Sequence, residues 1–312
     1  MIEESNSQNT EIVFFYNVEN LLLPVTYKEK VEGGLKNWDN KRYSNKLHKI
    51  AHVFEIVKEK KGSLPFVIGL SEIQGKKPIV DLLNLEPFNN EYGFVHYESM
   101  DERGVDVALL YYKNKVEIIE SEPISFFFEI EDNDTEHYDT TRDVLYCKLK
   151  FQNEIINFFV LHLPSKRDLD VNKPKRNYIL KEIKERMNVL REKEESVVLM
   201  GDFNENPDDE NLKTILSDHD LFNPFLELYN NKNYSTYHQR FGLLFDQIIM
   251  SDDFINGKSN LVFKSAEVFN DLKISNWDRK FKGRPFRTYA GTRYLGGYSD
   301  HFPVLIEINN KQ

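Results

Sequence analysis

Acidic, amide and imidazole side chains recur at the ends of the apolar runs of this sequence. Five run ends carry them: Asn17 and Glu19, Glu72, His162, Asp202 and Asn204, and Asp300 and His301. Loops at strand ends can aim such side chains into a shared cleft. A single Asp or Asn in such a place is usually a turn former. Because the arrangement occurs five times, we predict a hydrolytic site.

The residue types favour a hard metal ion. Carboxylate and amide oxygens prefer Mg²⁺, Mn²⁺ or Ca²⁺ to zinc, and the sequence has no Cys-x-x-Cys pair. His48 and His52 have helical i, i+4 spacing, but no third ligand is near in sequence, so we interpret them as ordinary helix positions. No G-x-S-x-G or G-x-x-x-x-G-K-[ST] motif occurs, which excludes a serine elbow and a P-loop.

Apolar patterning predicts the elements that position these residues. Strands are expected over residues 12–16, 65–70, 105–112, 144–151, 155–162, 197–200, 245–250 and 302–308. Apolar stripes predict helices over residues 40–60 and 179–190, with short helices at 78–83 and 209–217. The irregular region 254–297 is interpreted as long functional loops. This order of elements indicates stacked sheets flanked by helices.

Composition sets outer bounds on fold and partners. The 312 residues have 40% hydrophobic content and a net charge of −10. We predict a flexible N-terminus over 1–10 and one domain over 11–309. An acidic chain binds a polyanion only through local basic patches and bridging cations. The single cysteine, Cys147, lies in a strand-like pattern and is expected in the core.

The same composition leads to predictions of location and assembly. No apolar run approaches the roughly 18 residues that span a bilayer, so no stable membrane insertion is expected. The polar start of the chain leaves no room for a signal peptide. We predict a cytoplasmic monomer, or a secreted or periplasmic protein if a signal was removed upstream.

Eight segments together resemble the endonuclease/exonuclease/phosphatase superfamily, which is deoxyribonuclease I-like. They are FFYNVENLL, VIGLSEIQ, RGVDVALLYYK, TTRDVLY, FVLHLPSK, VVLMGDFNENP, LLFDQIIMS and GYSDHFPV, from residue 14 to 304. RGVDVALLYYK and the longer stretch PFRTYAGTRYLGGYSDHFPV resemble a bacterial branch labelled "endonuclease". The resemblance implies a four-layer α/β sandwich of two packed, mostly antiparallel β-sheets flanked by helices.

The resemblance also implies roles for individual residues. Glu72 is the expected principal ligand of Mg²⁺ or Mn²⁺, with Ca²⁺ a third candidate. Glu19 or Asn17 would assist, and Asp300 would be a further ligand or would position water. The family often has Asp where this chain has Glu19, whose side chain is longer.

The remaining implied roles concern proton transfer and phosphate contact. His301 would be the general base and Asp246 its partner carboxylate. Asp202 and Asn204 would hold the attacking water and a phosphate oxygen. His162 would stabilise the transition state or protonate the leaving oxygen, with Asp106 as its partner. Arg142 would contact a phosphate oxygen.

The substrate is less constrained than the chemistry. Residues 277–294 carry six Lys or Arg against one Asp, so we expect Arg287, Arg293 and Tyr289 to contact substrate. A nuclease acting on nucleic acid is the leading hypothesis. The alternatives are a hydrolase of inositol phosphate, sphingomyelin or another small phosphate ester, and a catalytically silent scaffold. A membrane-touching hairpin at 126–128 is considered, but a simple strand is preferred because acidic residues follow it.

Overall fold

The computed structural model describes residues 10–24, 35–101, 103–129, 138–166, 169–215 and 220–311. The tail predicted over residues 1–10 lies outside this range except for Thr10, as does the predicted end of the helix over 209–217. The elements in chain order are β1 (Thr10–Leu21), α1 (Asn40–Lys61), β2 (Val67–Ile73), α2 (Lys76–Leu83), β3 (Tyr92–His96), β4 (Asp106–Tyr112), β5 (Val116–Ile124), β6 (Phe127–Glu129), β7 (Tyr138–Thr140), β8 (Val144–Phe151), β9 (Glu154–His162), α3 (Lys173–Glu192), β10 (Ser196–Asp202), α4 (Glu210–Ile215), β11 (Leu221–Phe222), α5 (Phe225–Asn230), β12 (Thr236–His238), β13 (Phe241–Leu243), β14 (Asp246–Ser251), α6 (Asp253–Asn256), β15 (Leu261–Val268), a 3₁₀ turn (Leu272–Ile274), β16 (Tyr289–Ala290), β17 (Arg293–Tyr294) and β18 (Val304–Asn310).

Two six-stranded sheets have matching topologies. The first has the order β15-β18-β1-β2-β4-β3, and the second β11-β14-β10-β9-β8-β5. Each contains one parallel pair near its centre, β1 with β2 and β10 with β9, and its other neighbours are antiparallel. The predicted pair of mostly antiparallel sheets is confirmed.

The sheets pack face to face over one apolar core that includes residues of both. Phe66 and Phe151 meet across it with ring centroids 4.4 Å apart. Gly69 permits a close approach, because a Cβ there would lie 3.0 Å from the Met200 side chain. Cys147 is fully buried in this core, as predicted.

Helices cover the outer faces of both sheets and complete the four layers. The apolar stripe of α1 packs on the first sheet, where the rings of Phe14 and Phe54 lie 5.0 Å apart. The stripe of α3, with Ile183 and Met187, packs on the second sheet in a separate core. In the part of the chain that the structure describes, no helix is both long enough and apolar enough to cross a membrane.

The interpretation of residues 254–297 as loops was wrong for one long segment, besides the short 3₁₀ turn and the two-residue strands β16 and β17. Leu261–Val268 is β15, an edge strand that pairs with β18 through a bulge between Phe263 and Ser265. Its burial is intermediate at most positions, because only one neighbour covers an edge strand. A bulged, half-buried edge strand lacks the clean alternation that identifies a strand from sequence.

Candidate active site

Three neighbouring strands of the second sheet end in a row of titratable side chains. Asp202 of β10 is the register partner of His162 of β9 and of Asp246 of β14. Gly201 allows this close pairing, because a Cβ there would lie 2.1 Å from the carbonyl oxygen of Leu161. Adjacent strands are about 4.8 Å apart, so register alone brings the three side chains together.

The partly buried His301 and the buried Asp246 form a hydrogen-bonded pair. Nδ1 of His301 lies 2.6 Å from Oδ2 of Asp246, which also accepts from Ser235 Oγ at 2.5 Å. Asp246 is fully buried, and its Oδ1 has no partner among the described residues. Burial alone would lower the pKa of His301, but the carboxylates, with Asp246 foremost, raise it well above the ordinary histidine value.

Asp202 lies at the centre of the cluster. Its Oδ2 accepts from Asn17 Nδ2 at 3.0 Å, and its Oδ1 accepts from the backbone N–H of Asn204 at 3.0 Å. Nε2 of His162 and Nε2 of His301 lie 3.6 and 3.9 Å from Oδ2. Burial and the neighbouring Asp246 raise the pKa of Asp202 to about 6. Asn204 also donates through Nδ2 to the Leu163 carbonyl at 2.9 Å.

Backbone irregularities in the first sheet direct Glu72 toward this row. The β1–β2 register shifts between Asn17 and Leu21, and Glu72 is the extra residue where the β2–β4 register shifts. Glu72 has a φ of +66°, which is strained for a side chain of this kind. Its Oε2 accepts from the backbone N–H of Asn20 at 2.9 Å, and its Oε1 lies 4.0 Å from His162 Nε2.

His162 is buried and held neutral. Burial, followed by the nearby guanidinium of Arg142, lowers the pKa of His162 well below its ordinary value. Arg142 is itself buried, donating to the carbonyls of His162 (3.0 Å) and Leu163 (3.2 Å). Its Nη1 lies 3.6 Å from a carboxylate oxygen of Asp101.

The predicted hydrogen-bonded pairing of Asp106 with His162 is absent. The Asp106 carboxylate instead accepts from the backbone N–H and the hydroxyl of Ser99. Nδ1 of His162 has no hydrogen-bond partner among the described residues. Asp106 begins β4 next to the register shift at Glu72. The strand pairing there places its side chain against the turn formed by residues 99–101.

The Glu19 side chain points away from the row formed by His162, Asp202 and Asp246. Its carboxylate accepts from the backbone N–H groups of Thr288 (2.6 Å) and Tyr289 (3.1 Å). Burial and the charge of Asp300 raise the pKa of Glu19 to about 7. The fully buried Lys46 of α1 donates to Thr288 Oγ1 at 2.6 Å and to the Tyr298 carbonyl. Together Glu19 and Lys46 fix the segment that follows Arg287.

The three predicted substrate-contact residues separate in the structure. Arg287 lines the cleft and pairs with Asp300 at 2.6 Å. Tyr289 does not line it: its ring is buried against Trp38, and its hydroxyl donates to the Lys36 carbonyl at 2.9 Å. Arg293 is exposed in β17 and does not border the cleft either. For Tyr289 and Arg293, the pattern of basic and aromatic residues belongs to the β16–β17 hairpin, which packs on α1.

The site opens into a cleft of about 900 Å³. Its wall includes cationic and aromatic residues to which sequence reasoning gave no role: Arg103, Lys166, Lys175, Tyr237, Phe241 and Phe245. His238 also lines the cleft. Arg103 is the first residue of the RGVDVALLYYK segment, so the family resemblance could have identified it as a site residue. The aromatics of the β12–β13 hairpin had no distinguishing pattern.

A buried ion-pair network supports one wall of the cleft. The fully buried Arg176 of α3 donates to Glu205 at 2.7 Å, to Asp170 at 2.6 Å and to the Pro164 carbonyl at 3.2 Å. Glu205 also pairs with Lys166 at 2.8 Å. Glu205 follows Asn204, and Pro164 comes two residues after His162. The network therefore fixes the two turns on which these site residues lie.

The site chemistry fits a divalent cation. Among the described residues, Asp202, Asp246 and His301 place ligand atoms within 4.8 Å of one another. The unpartnered Oδ1 of Asp246 and the lightly engaged Oε1 of Glu72 are hard oxygen donors. A neutral His162 beside them adds no positive charge that would oppose a cation.

The fold and site define a class of protein. A model of the endonuclease/exonuclease/phosphatase family matches residues 12–310, and the chain belongs to that family. It is therefore a hydrolase of phosphate esters from a family that uses divalent metals. A comparison with curated proteins finds no significant match.

Solved structures with a similar fold carry different names. A Danio rerio TDP2 complex with a single-strand DNA product has a TM-score of 0.62 at 15% identity, covering 96% of this chain and 99% of that one. The Bacteroides thetaiotaomicron mannosyl-6-phosphatase Bt3783 scores 0.61 at 17% identity, covering 96% and 99%. The human Nocturnin catalytic domain scores 0.56 at 16% identity, covering 96% and 94%.

Proposed function

We propose that this protein is a Mg²⁺- or Mn²⁺-dependent phosphodiesterase that hydrolyses nucleic acid. The observation that carries the proposal is the hydrogen-bonded His301–Asp246 pair beside Asp202, at the floor of a cleft walled by cations and aromatic rings. An imidazole held by a carboxylate suits proton removal from water. Guanidinium, ammonium and aromatic groups suit a phosphate backbone with attached bases.

In this proposal the cation is held chiefly by Glu72. When bound it would neutralise charge on the phosphate oxygens. We assign the Asp202, Asp246 and His301 group to proton handling, because Asp246 Oδ2 already accepts from His301 Nδ1 and Ser235. Asp300 forms an ion pair with Arg287. The Glu19 carboxylate accepts a hydrogen bond from the backbone next to Arg287 instead of binding metal. Ca²⁺ is the third candidate ion.

The protein side chains then divide the reaction between them. Nε2 of His301 takes the proton from the attacking water, and Asp246 stabilises the imidazolium that forms. Asp202, fixed by Asn17 and by the backbone of Asn204, orients that water. His162 acts as a hydrogen-bond donor to a phosphate oxygen, because a group with so low a pKa does not carry the proton of a general acid. Arg142 offers a fixed positive charge to the phosphate.

The second candidate is a phosphatase acting on a small phosphate ester. It is favoured by the similar fold of the mannosyl-6-phosphatase. The size of the cleft and its exposed Phe241, which is 70% exposed, favour a polymeric substrate.

We further propose a monomer in the cytoplasm, tested by light scattering and cell fractionation.

One substrate panel tests the proposal. Purified protein is incubated with single-stranded DNA, plasmid DNA, RNA, bis-p-nitrophenyl phosphate, mannose 6-phosphate, inositol phosphates and sphingomyelin. Each reaction is run with Mg²⁺, with Mn²⁺ and with chelator, and His301→Ala is the inactive control. Metal-dependent cleavage of polynucleotide, lost in the control, is expected. Turnover of phosphomonoesters alone would show that the nuclease proposal is wrong, and turnover that survives chelator would overturn the mechanism.

A further inference from the structure

A loop beside the cleft carries exposed rings and cations that the proposed chemistry does not use. This 275–285 loop is closed by the Ser275–Pro285 bridge and by a hydrogen bond from Asn276 N to Arg284 O at 2.7 Å. It is therefore an ordered structure. Even so, Trp277 is 69% exposed and Phe281 is 41% exposed. Large aromatic side chains left in water on an ordered loop mark a surface for interaction.

An alternating stack of rings and cations joins the 275–285 loop to the cleft. Tyr237 lines the cleft, and the guanidinium carbon of Arg284 lies 4.8 Å from the centre of its ring. The same guanidinium lies 5.7 Å from the ring centre of Phe281, over which Lys280 Nζ lies at 5.3 Å. Arg284 also donates to the Gln239 carbonyl at 2.6 Å, which fixes the loop against the β12–β13 hairpin.

The charge of the loop is opposite to that of the whole chain. Residues 276–284 contain four basic side chains and one acidic one, in a protein of net charge −10. A local basic patch on an acidic protein is what a polyanion requires. Aromatic rings interleaved with cations bind single-stranded nucleic acid, because bases stack on the rings and phosphates meet the charges. A small phosphate ester bound in the cleft has no part that would need this surface.

We propose that the 275–285 loop is a second binding surface for the part of a single-stranded nucleic acid that lies outside the cleft. Phe281 and Trp277 stack on bases, and Arg284 and Lys280 contact phosphates. This inference rests on the proposed nuclease function and narrows its substrate to single-stranded polynucleotide.

The experiment compares substrates of different length in full-length protein. Kinetics with Mg²⁺ are measured on a dinucleotide and on a single-stranded DNA of about 16 nucleotides, the upper site size of a single-strand-binding fold. Binding of the labelled longer DNA is measured separately by fluorescence anisotropy on the His301→Ala protein. The test variant is Trp277→Ala/Phe281→Ala, with Trp277→Ala/Phe281→Trp as the rescue. Val189→Ala, at a 51% exposed position on α3, is the matched control.

We expect the double alanine variant to raise KM for the longer DNA about 30-fold, the low end of the effect of losing two base–aromatic stacks. The KM for the dinucleotide and the kcat should not change. The Trp277→Ala/Phe281→Trp variant restores one of the two rings and should recover part of the lost affinity. Equal KM values in wild type and variant, with cleavage intact, would refute the loop surface and leave the nuclease proposal standing. Binding of DNA that needs the loop, without cleavage, would keep the surface and remove the nuclease activity. If the longer DNA is neither bound through the loop nor cleaved, both the loop surface and the nuclease proposal are wrong. A loop that binds an acidic protein instead would give this result.

Discussion

Replacing Asp246 by Asn should cost about 10⁴-fold in kcat while leaving KM nearly unchanged. The His301 Nδ1–H and the Ser235 hydroxyl both donate to Oδ2 of Asp246, and Oδ1 has no partner among the described residues. An asparagine amide has two ways to fit. With its oxygen at the Oδ2 position it keeps both hydrogen bonds, but it buries an NH₂ group without an acceptor. That arrangement costs about 1–3 kcal/mol.

The opposite orientation is therefore favoured, and it has a chemical consequence. The NH₂ group now donates to Nδ1 of His301 and to Ser235 Oγ, so the imidazole carries its proton on Nε2. An Nε2–H cannot accept a proton from water. Loss of the correct tautomer in a comparable His–Asp pair costs about 10⁴-fold in rate. Had only the charge of Asp246 been lost, the cost would be about 1–2 kcal/mol, or roughly 5- to 30-fold.

The assay is steady-state cleavage of bis-p-nitrophenyl phosphate with a full titration of Mg²⁺. Ser235→Ala is the matched control, since it removes the second donor and leaves the His301–Asp246 hydrogen bond, and it should cost less than tenfold. The pH profile adds an independent check. The base must be unprotonated, so wild-type activity should rise with pH through the raised pKa of His301. A kcat within tenfold of wild type for Asp246→Asn, at saturating Mg²⁺, would refute the assigned role of the pair.

Three further predictions follow from buried charges. Arg176→Met leaves Glu205 without its closest cation and should lower the free energy of unfolding by about 3 kcal/mol in urea titration; the exposed control Arg186→Met should cost less than about 1 kcal/mol. Burial raises the pKa of Glu19, so its contribution to stability should fall as pH rises from about 4.5 to 7, and Glu19→Gln should make the fall of stability across that window shallower in pH-dependent unfolding. Glu72→Gln should raise the Mg²⁺ concentration for half-maximal activity at least about tenfold, and an unchanged titration would contradict its role as ligand.

Much of the candidate site could be predicted from the sequence because the register of neighbouring strands brings its residues together. His162 and Asp202 each close an apolar strand, and the pattern of each strand was readable by itself. Asp246, at the start of the third strand in the row, was assigned by the family resemblance. The approach of His301 to Asp246 came from the family resemblance, and the 2.6 Å contact matches it.

The features that sequence reasoning missed depend on contacts between distant segments. Glu19 meets backbone N–H groups about 270 positions later in the chain, and nothing in its own segment distinguishes that role from metal binding. Lys46 and Arg176 received no role from the sequence, but both are fully buried by contacts with loop residues. Asp106 was assigned by family position, whereas the local turn at Ser99 decides its partner.

The pairing of the first strand with the last determines when the enzyme can become active. β1 lies between β2 and β18, from Thr10 opposite Asn309 to Phe15 opposite Val304. Asn17 belongs to β1, whereas Asp300 and His301 immediately precede β18. At about 5–20 residues per second, synthesis of the chain takes roughly 15–60 s, and β1 waits through nearly all of it with one edge unpaired. The candidate site therefore cannot be assembled until β18 has been synthesised and has paired with β1.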